Sequence, residues 1–389
     1  MKLSKKMARL GTETAFAALA KAQVLEAKGA NLIHLEIGEP GFNTPTNICD
    51  MVIKAVGEGH TYYSASQGIT SLRSEIAKHI GGTRGVSIDP ECVIVTPGGK
   101  PIMFYSILAL LEEGDEAIYP NPGFPIYESM INFTGARPVP IALREELDFR
   151  LDVNELKSKI TPRTKLIIIN SPHNPTGAIL EEDDIRYIAD LAQKHGITVL
   201  SDEIYDRIVY EKAPLSILSI PGMLDRTILL NGFSKTYAMG GWRLGYGVVP
   251  RELVEPIVRL IVNSVSCTST FIQYAGIEAL TGSQESVHRM VEEFRKRRDL
   301  IVEGLNEIPG ISCLLPKGAF YAFPNITKLG MDCKRLADYL LNEAGVVVLA
   351  GTDFGKYGQG YIRLSYGTTL ENIKEALKRI NTAVAKLKL

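Results

Sequence analysis

No apolar run in this 389-residue sequence approaches the ~18 residues that a transmembrane helix needs, so no membrane partner is expected. Neither sign of charge is in excess: 43 Lys and Arg stand against 44 Asp and Glu, for a formal net charge of -1. That balance removes the electrostatic case for a nucleic acid or an anionic membrane surface. Cysteine is sparse. Cys49, Cys92, Cys267, Cys313 and Cys333 are scattered, odd in number and without a CxxC. This disfavours a disulfide framework and a structural zinc, and a reducing cytoplasm fits best. The six histidines show no HxxxH spacing, and no metal site is expected. No GxGxxG follows a strand-like run, which sets aside a dinucleotide-binding oxidoreductase. There is no internal repeat and no low-complexity segment.

What is present is ordinary globular composition, 45% hydrophobic and 22% charged, over a length that favours two domains. The N-terminus, MKLSKKMARLGTETAFAALAKAQ, opens basic. Glu13 and Lys21 break its alanine-rich part, so it predicts a helix rather than a signal peptide. Short apolar runs then alternate with helical stretches. VIVT (93–96), EAIYP (116–120), KLIIIN (165–170), TVLSD (198–202), TILLN (227–231) and YGVV (246–249) predict strands; 101–112 and 181–195 predict helices. Such alternation, with continuously apolar strands, predicts an α/β domain at 46–285 whose mostly parallel sheet is covered by helices on both faces. Beyond it come a charged helix (283–307), strand-like GAFYAFPN (318–325), VVVL (346–349) and YIRLSYG (361–367), and a helix from about 370. A smaller α+β domain built from both chain ends, 1–45 and 286–389, is expected.

Open α/β sheets bind ligands beyond the carboxyl ends of their strands. After VIVT comes Pro97-Gly98-Gly99-Lys100 and a helix start, which suits a phosphate cradle, although taken alone Gly-Gly before a helix is more often a plain turn. After KLIIIN comes SPHNPTG, where Asn174 between two prolines is either a ligand contact or an Asx turn. After TVL comes Ser201-Asp202-Glu203-Ile204-Tyr205, where Asp202 is a helix N-cap or a buried carboxylate with a cationic partner. After TILLN comes Lys235, with Arg243 eight positions on. A lysine at the mouth of a buried strand is either solvated or kept neutral and nucleophilic in a dry pocket, as Schiff-base lysines are. Taken together, these strand ends offer a lysine, an arginine, an aspartate, a tyrosine, an asparagine and a glycine-opened helix start to one crevice. Pyridoxal 5′-phosphate meets each demand of that set.

The sequence resembles the fold-type I pyridoxal-phosphate enzymes, specifically class I/II aminotransferases of the aspartate-aminotransferase-like branch. The motifs run in order along nearly the whole chain: IGEPGFNTP (37–45), YYSASQGITSLR (62–73), VTPGGK (95–100), NPGFPIY (121–127), NSPHNPTG (170–177), SDEIY (201–205), FSKTYAMGGWRLGY (233–246) and IRLSYG (362–367). The resemblance implies that Lys235 holds the cofactor and serves as catalytic base, Asp202 faces the pyridine nitrogen, and Tyr205 and Asn174 contact the ring hydroxyl. Arg243, Ser234 and the amides near Gly98, Gly99 and Lys100 would bind the phosphate, and Phe124 would stack on the ring. Arg363 would clamp the substrate carboxylate, with the Gly38 backbone beside it. Tyr63 would reach the phosphate of a neighbouring subunit in a homodimer with shared active sites. Many relatives have Asp at Gly41, Thr at Gly240 and a hydroxyl residue at Gly232.

The activity implied is transfer of an amino group between an L-amino acid and a 2-oxo acid, with ping-pong kinetics. Glutamate/2-oxoglutarate would be one pair and aspartate, an aromatic or an aliphatic amino acid the other. In some aspartate-type relatives a lysine at the position of Lys100 meets the distal carboxylate of acidic substrates, and a solvated or phosphate-adjacent lysine is the alternative. Glu13 would oppose an acidic side chain if it points inward, and Phe16 would favour aromatic or aliphatic ones. A pyridoxal-phosphate β-lyase and a non-catalytic cofactor-binding regulator are the alternatives. Burial and a nearby Arg243 are both expected to lower the pKa of Lys235.

Overall fold

A computed structural model describes residues 1 and 3–387; residues 2, 388 and 389, which the expected smaller domain includes, lie outside the described residues. The strands are β1 (Ile33–His34), β2 (Val93–Thr96), β3 (Glu116–Asn121), β4 (Arg137–Ala142), β5 (Thr164–Asn170), β6 (Thr198–Asp202), β7 (Thr227–Gly232), β8 (Gly245–Val248), β9 (Tyr321–Ala322), β10 (Val346–Val347), β11 (Leu349–Ala350) and β12 (Ile362–Ser365). The α-helices are α1 (Thr14–Glu26), α2 (Thr46–Gly57), α3 (Thr70–Arg84), α4 (Lys100–Leu110), α5 (Ile126–Thr134), α6 (Val153–Lys159), α7 (Glu182–His195), α8 (Arg251–Val262), α9 (Thr270–Thr281), α10 (Glu285–Asn306), α11 (Cys333–Tyr339) and α12 (Leu370–Val384).

Seven strands form one sheet in the order β2-β8-β7-β6-β5-β3-β4. Only β8 runs against its neighbours. The continuous apolar runs are explained by two-sided burial. Leu166 and Ile168 of β5 pack with α4, α5 and α8, while Ile167 and Ile169 pack with α7 on the opposite face. Helix α7 begins at a capping box between Glu181 and Asp184, and ends at Gly196 in the left-handed region, φ +67°. Among the described residues no helix is long and apolar enough to cross a membrane.

The remaining strands make two small sheets, β1-β10 and β11-β12-β9. They share a core with α10 and α12, centred on Phe294, Phe320 and Tyr366. Three expectations need correction here. VVVL is not one strand: Val346–Val347 pairs with β1, and Leu349–Ala350 pairs with β12. GAFYAFPN forms a strand only at Tyr321–Ala322, with isolated antiparallel bridges at Gly318 and Asn325 on either side. The N-terminal segment is a short 3-10 turn at Lys5–Arg9 followed by α1, which starts at Thr14.

Candidate active site

The carboxyl ends of β2, β5, β6 and β7 face one cavity of about 480 Å³. At the end of β2, Thr96 Oγ1 donates to the Gly98 carbonyl at 2.7 Å and fixes the turn into α4. Gly98 has φ +88°, and a Cβ there would run into the Arg243 guanidinium. Glycine alone satisfies both conditions. Gly99 caps α4 without a side-chain bond, so the helix start presents its amides to the cavity. Arg243 donates to the Gly240 carbonyl at 2.9 Å, and Ser234 lines the same wall. Amides at a positive helix end, a guanidinium and a hydroxyl form a donor set for a phosphate.

The register of the sheet sets Asn170 beside Asp202. Asn170 Nδ2 donates to the Asp202 carbonyl at 2.9 Å and to Pro172 at 3.1 Å, and its Oδ1 accepts from the Asn174 amide at 3.0 Å. One side chain thereby ties two strand ends together and points the next loop. No helix follows Asp202, so it is not a helix N-cap. Its buried carboxylate accepts from the Tyr127 hydroxyl at 2.6 Å and the Ile204 amide at 3.2 Å. Burial pushes its pKa up to about 6, against the pull of those two donors and of Lys235.

Lys235 follows β7 and donates from Nζ to the Gly38 carbonyl. The ammonium also lies 5.9 Å from the centroid of the Phe320 ring. Burial lowers its pKa to about 8. Glu13 and Glu39 push the other way, and the cations that add to the lowering are Arg363 and Lys100. This corrects the expectation that Arg243 does so, since that guanidinium is turned toward Gly98 and Gly240.

Arg363 reaches the cavity from β12. Its Nη1 donates to Asn174 Oδ1 at 3.2 Å and its Nη2 to the Glu36 carbonyl. The guanidinium lies between the rings of Tyr321 (4.6 Å) and Phe354 (4.8 Å), which hold it in one orientation. Among the described residues its buried Nε has no hydrogen-bond partner. Tyr205 shares a hydrogen bond of 2.7 Å with the Tyr321 hydroxyl. A Cβ at Gly38 would collide with that same Tyr321 hydroxyl.

At the rim, Lys100 pairs with Glu13 and faces the rings of Phe16 and Phe124. Tyr63 is not brought to the cavity of its own chain: it is 91% exposed. The cavity thus gathers Gly38, Gly99, Lys100, Phe124, Asn174, Asp202, Tyr205, Ser234, Lys235, Arg243 and Arg363, with Gly98 behind its wall. Sequence reasoning missed Asn170, Tyr127 and Tyr321 as partners. Each lies inside a stretch already quoted, but nothing local marks which side chain turns inward. His173, in the same loop as Asn174, is buried, and its Nδ1 pairs with Thr176 Oγ1 at 2.8 Å.

The model of the family "Aminotransferase class I and II" matches residues 30–380. An aromatic-amino-acid aminotransferase 2 from Thermococcus litoralis is 40% identical over 92% of this chain and 93% of its own. An aspartate aminotransferase from Pyrococcus horikoshii is 42% identical, covering 92% of each chain. Among solved structures, a Thermus thermophilus aspartate aminotransferase with maleate superposes with TM-score 0.95 at 36% identity, over 98% of this chain and 100% of that one. The chain therefore belongs to the class I and II aminotransferases, pyridoxal-phosphate-dependent enzymes of fold type I that transfer amino groups.

Proposed function

We propose that this aminotransferase uses glutamate and 2-oxoglutarate as one substrate pair and aspartate, an aromatic or an aliphatic amino acid as the other, with Lys235 as the residue that carries the cofactor. The observation that carries this is the convergence of Lys235, Asp202 and Arg363 on one cavity. The residues present fit the cofactor. Arg243, Ser234 and the amides around Gly98, Gly99 and Lys100 would hold its phosphate; a Cβ at Gly98 would spoil that wall. Asp202 would face the ring nitrogen, Asn174 and Tyr205 the ring hydroxyl, and Phe124 the ring face. Bound there, pyridoxal 5′-phosphate supplies an aldehyde that condenses with amines and a pyridinium ring that accepts the electron pair of a broken Cα–H bond.

The chain's own residues do the rest. Arg363 binds the substrate α-carboxylate with its fork of N–H donors, beside the Gly38 backbone, and so orients Cα. Lys235 Nζ, neutral for part of each cycle, takes the Cα proton and returns a proton from the same nitrogen. Its lowered pKa suits that exchange at neutral to mildly basic pH. Asp202 holds a negative charge at the cavity floor, where a cation placed against it overcomes the effect of burial. The first product leaves before the second substrate enters, which gives ping-pong kinetics.

Both a cation (Lys100) and apolar rings (Phe16, Phe124) line the rim, which supports a mixed set of side chains. Relatives named for aspartate and for aromatic amino acids support the same range. Residues 46–285 are proposed as the cofactor domain, with 1–45 and 286–389 as the smaller one; all seven strands of the large sheet fall in the first. The outward position of Tyr63 supports a homodimer in which it completes the partner's phosphate site. Five free thiols fit a cytoplasmic setting.

The test is borohydride reduction of the cofactor-loaded protein, followed by peptide mapping and by a panel of amino donors with 2-oxoglutarate. Label at Lys235, and bleaching of the visible colour by a donor alone, is the expected result. A label elsewhere would sink the assignment.

A further inference from the structure

Glu13 is a carboxylate that the chain itself places in the substrate cavity. It stands just before α1, makes no helix-capping bond, and its side chain is 23% exposed. It pairs with Lys100. The Lys100 ammonium lies 5.7 Å from the centroid of Phe16 and 5.3 Å from that of Phe124, on the rim of the cavity that holds Lys235 and Arg363. An acidic substrate anchored through its α-carboxylate at Arg363 would need a cation for its second carboxylate. Lys100 is a cation on this rim, and it is already paired with Glu13.

Resting on the substrate range proposed above, we propose that Glu13 is a resident competitor for Lys100 and a determinant of side-chain specificity. When the substrate side chain is apolar, Glu13 stays in place. Lys100 then remains paired while water is displaced from around it, which avoids an unpaired ammonium between two rings. When the substrate is a dicarboxylic acid, its distal carboxylate takes Lys100 and Glu13 swings toward water. The Lys100 side chain is 46% exposed, so the exchange takes place at a wet rim rather than in a sealed core. One cavity can then accept both classes. Acidic substrates bind less tightly than Lys100 alone would allow, and apolar ones are spared a bare charge.

The test is equilibrium binding of two unreactive acids to the cofactor-loaded enzyme by calorimetry. Succinate carries two carboxylates; 3-phenylpropionate carries one and an aromatic ring. Glu13→Gln keeps the shape and removes the charge, at a half-buried position where thermal unfolding should match wild type. Succinate should bind the variant about three- to tenfold more tightly, and 3-phenylpropionate equally or less tightly. Succinate affinity that is unchanged or weaker, with the cofactor absorbance retained, overturns the inference and leaves the proposed function standing. An equal gain for both acids also overturns it, because Glu13 would then be only a general repulsive charge. Failure of both acids to bind cofactor-loaded wild-type enzyme would overturn the inference together with the proposed function.

Discussion

The Tyr127 hydroxyl donates to Asp202 Oδ2 at 2.6 Å, from a side chain with no solvent exposure. It is the largest influence holding the Asp202 pKa down against burial. Tyr127→Phe should therefore raise that pKa and weaken the negative charge at the cavity floor. We expect kcat to fall by about tenfold and the acid limb of the pH–rate profile to move to higher pH. A profile that drops in height without shifting would mean that Tyr127 only packs the site.

Asp202 also makes the cofactor-free protein pH-sensitive. Its folded-state pKa, about 6, lies above its ordinary value, so its contribution to stability is fully present below the ordinary value and is lost as pH rises through about 6. Asp202→Asn removes that loss. The cofactor-free variant should melt roughly 2–4 °C above cofactor-free wild type at pH 8, with the difference shrinking as pH falls below 6. Calorimetric scans at the two pH values check this.

Lys235 has the opposite displacement, down to about 8 through burial. Only the neutral amine attacks an aldehyde. Capture of pyridoxal 5′-phosphate by the cofactor-free protein, followed by absorbance, should quicken with pH and level off above about 8. A rate still climbing at pH 10 would indicate an ordinary solvated lysine.

The site's raw materials were legible because burial leaves few choices. LIIIN, TVLSD and TILLN are apolar on both faces, as strands between two helix layers must be, and each breaks to a polar residue at the same edge. That pattern alone places Asp202 and Lys235 at one edge of the sheet. Partner choice was not legible. Tyr127 lies 75 positions from Asp202, Tyr321 lies 116 from Tyr205, and Asn174 lies 189 from Arg363. Those meetings depend on how loops and the two smaller sheets pack, which no local period encodes. VVVL fails for a related reason: its composition predicts a strand, but not that Val346–Val347 and Leu349–Ala350 pair with different partners.

Arg363 is held by two side chains' rings and two acceptors, an arrangement that suits a planar fork. Arg363→Lys retains the charge and loses the paired donors and the stacking. The KM for amino acid and for oxo acid should both rise, by roughly 10- to 100-fold for about 1.4–2.7 kcal/mol lost, with cofactor absorbance unaltered. Equal losses in cofactor content and KM would instead point to collapse of the cavity wall.

Tyr63 presents its side chain to solvent on a segment anchored by the Thr270 hydroxyl, which donates to the Tyr62 carbonyl at 2.7 Å. A large exposed aromatic on an anchored loop can serve a second subunit. If it completes the partner's phosphate site, Tyr63→Ala and Lys235→Ala damage different halves of one active site. Each variant alone should be weak or inactive. Co-refolded in equal amounts, half of the dimers should be hybrids, each with one intact site in which Lys235 of one protomer meets Tyr63 of the other. Activity should return to about one quarter of wild type. A mixture no more active than the sum of the two variants would show that each site is complete within one chain, and that the exposed ring serves another purpose.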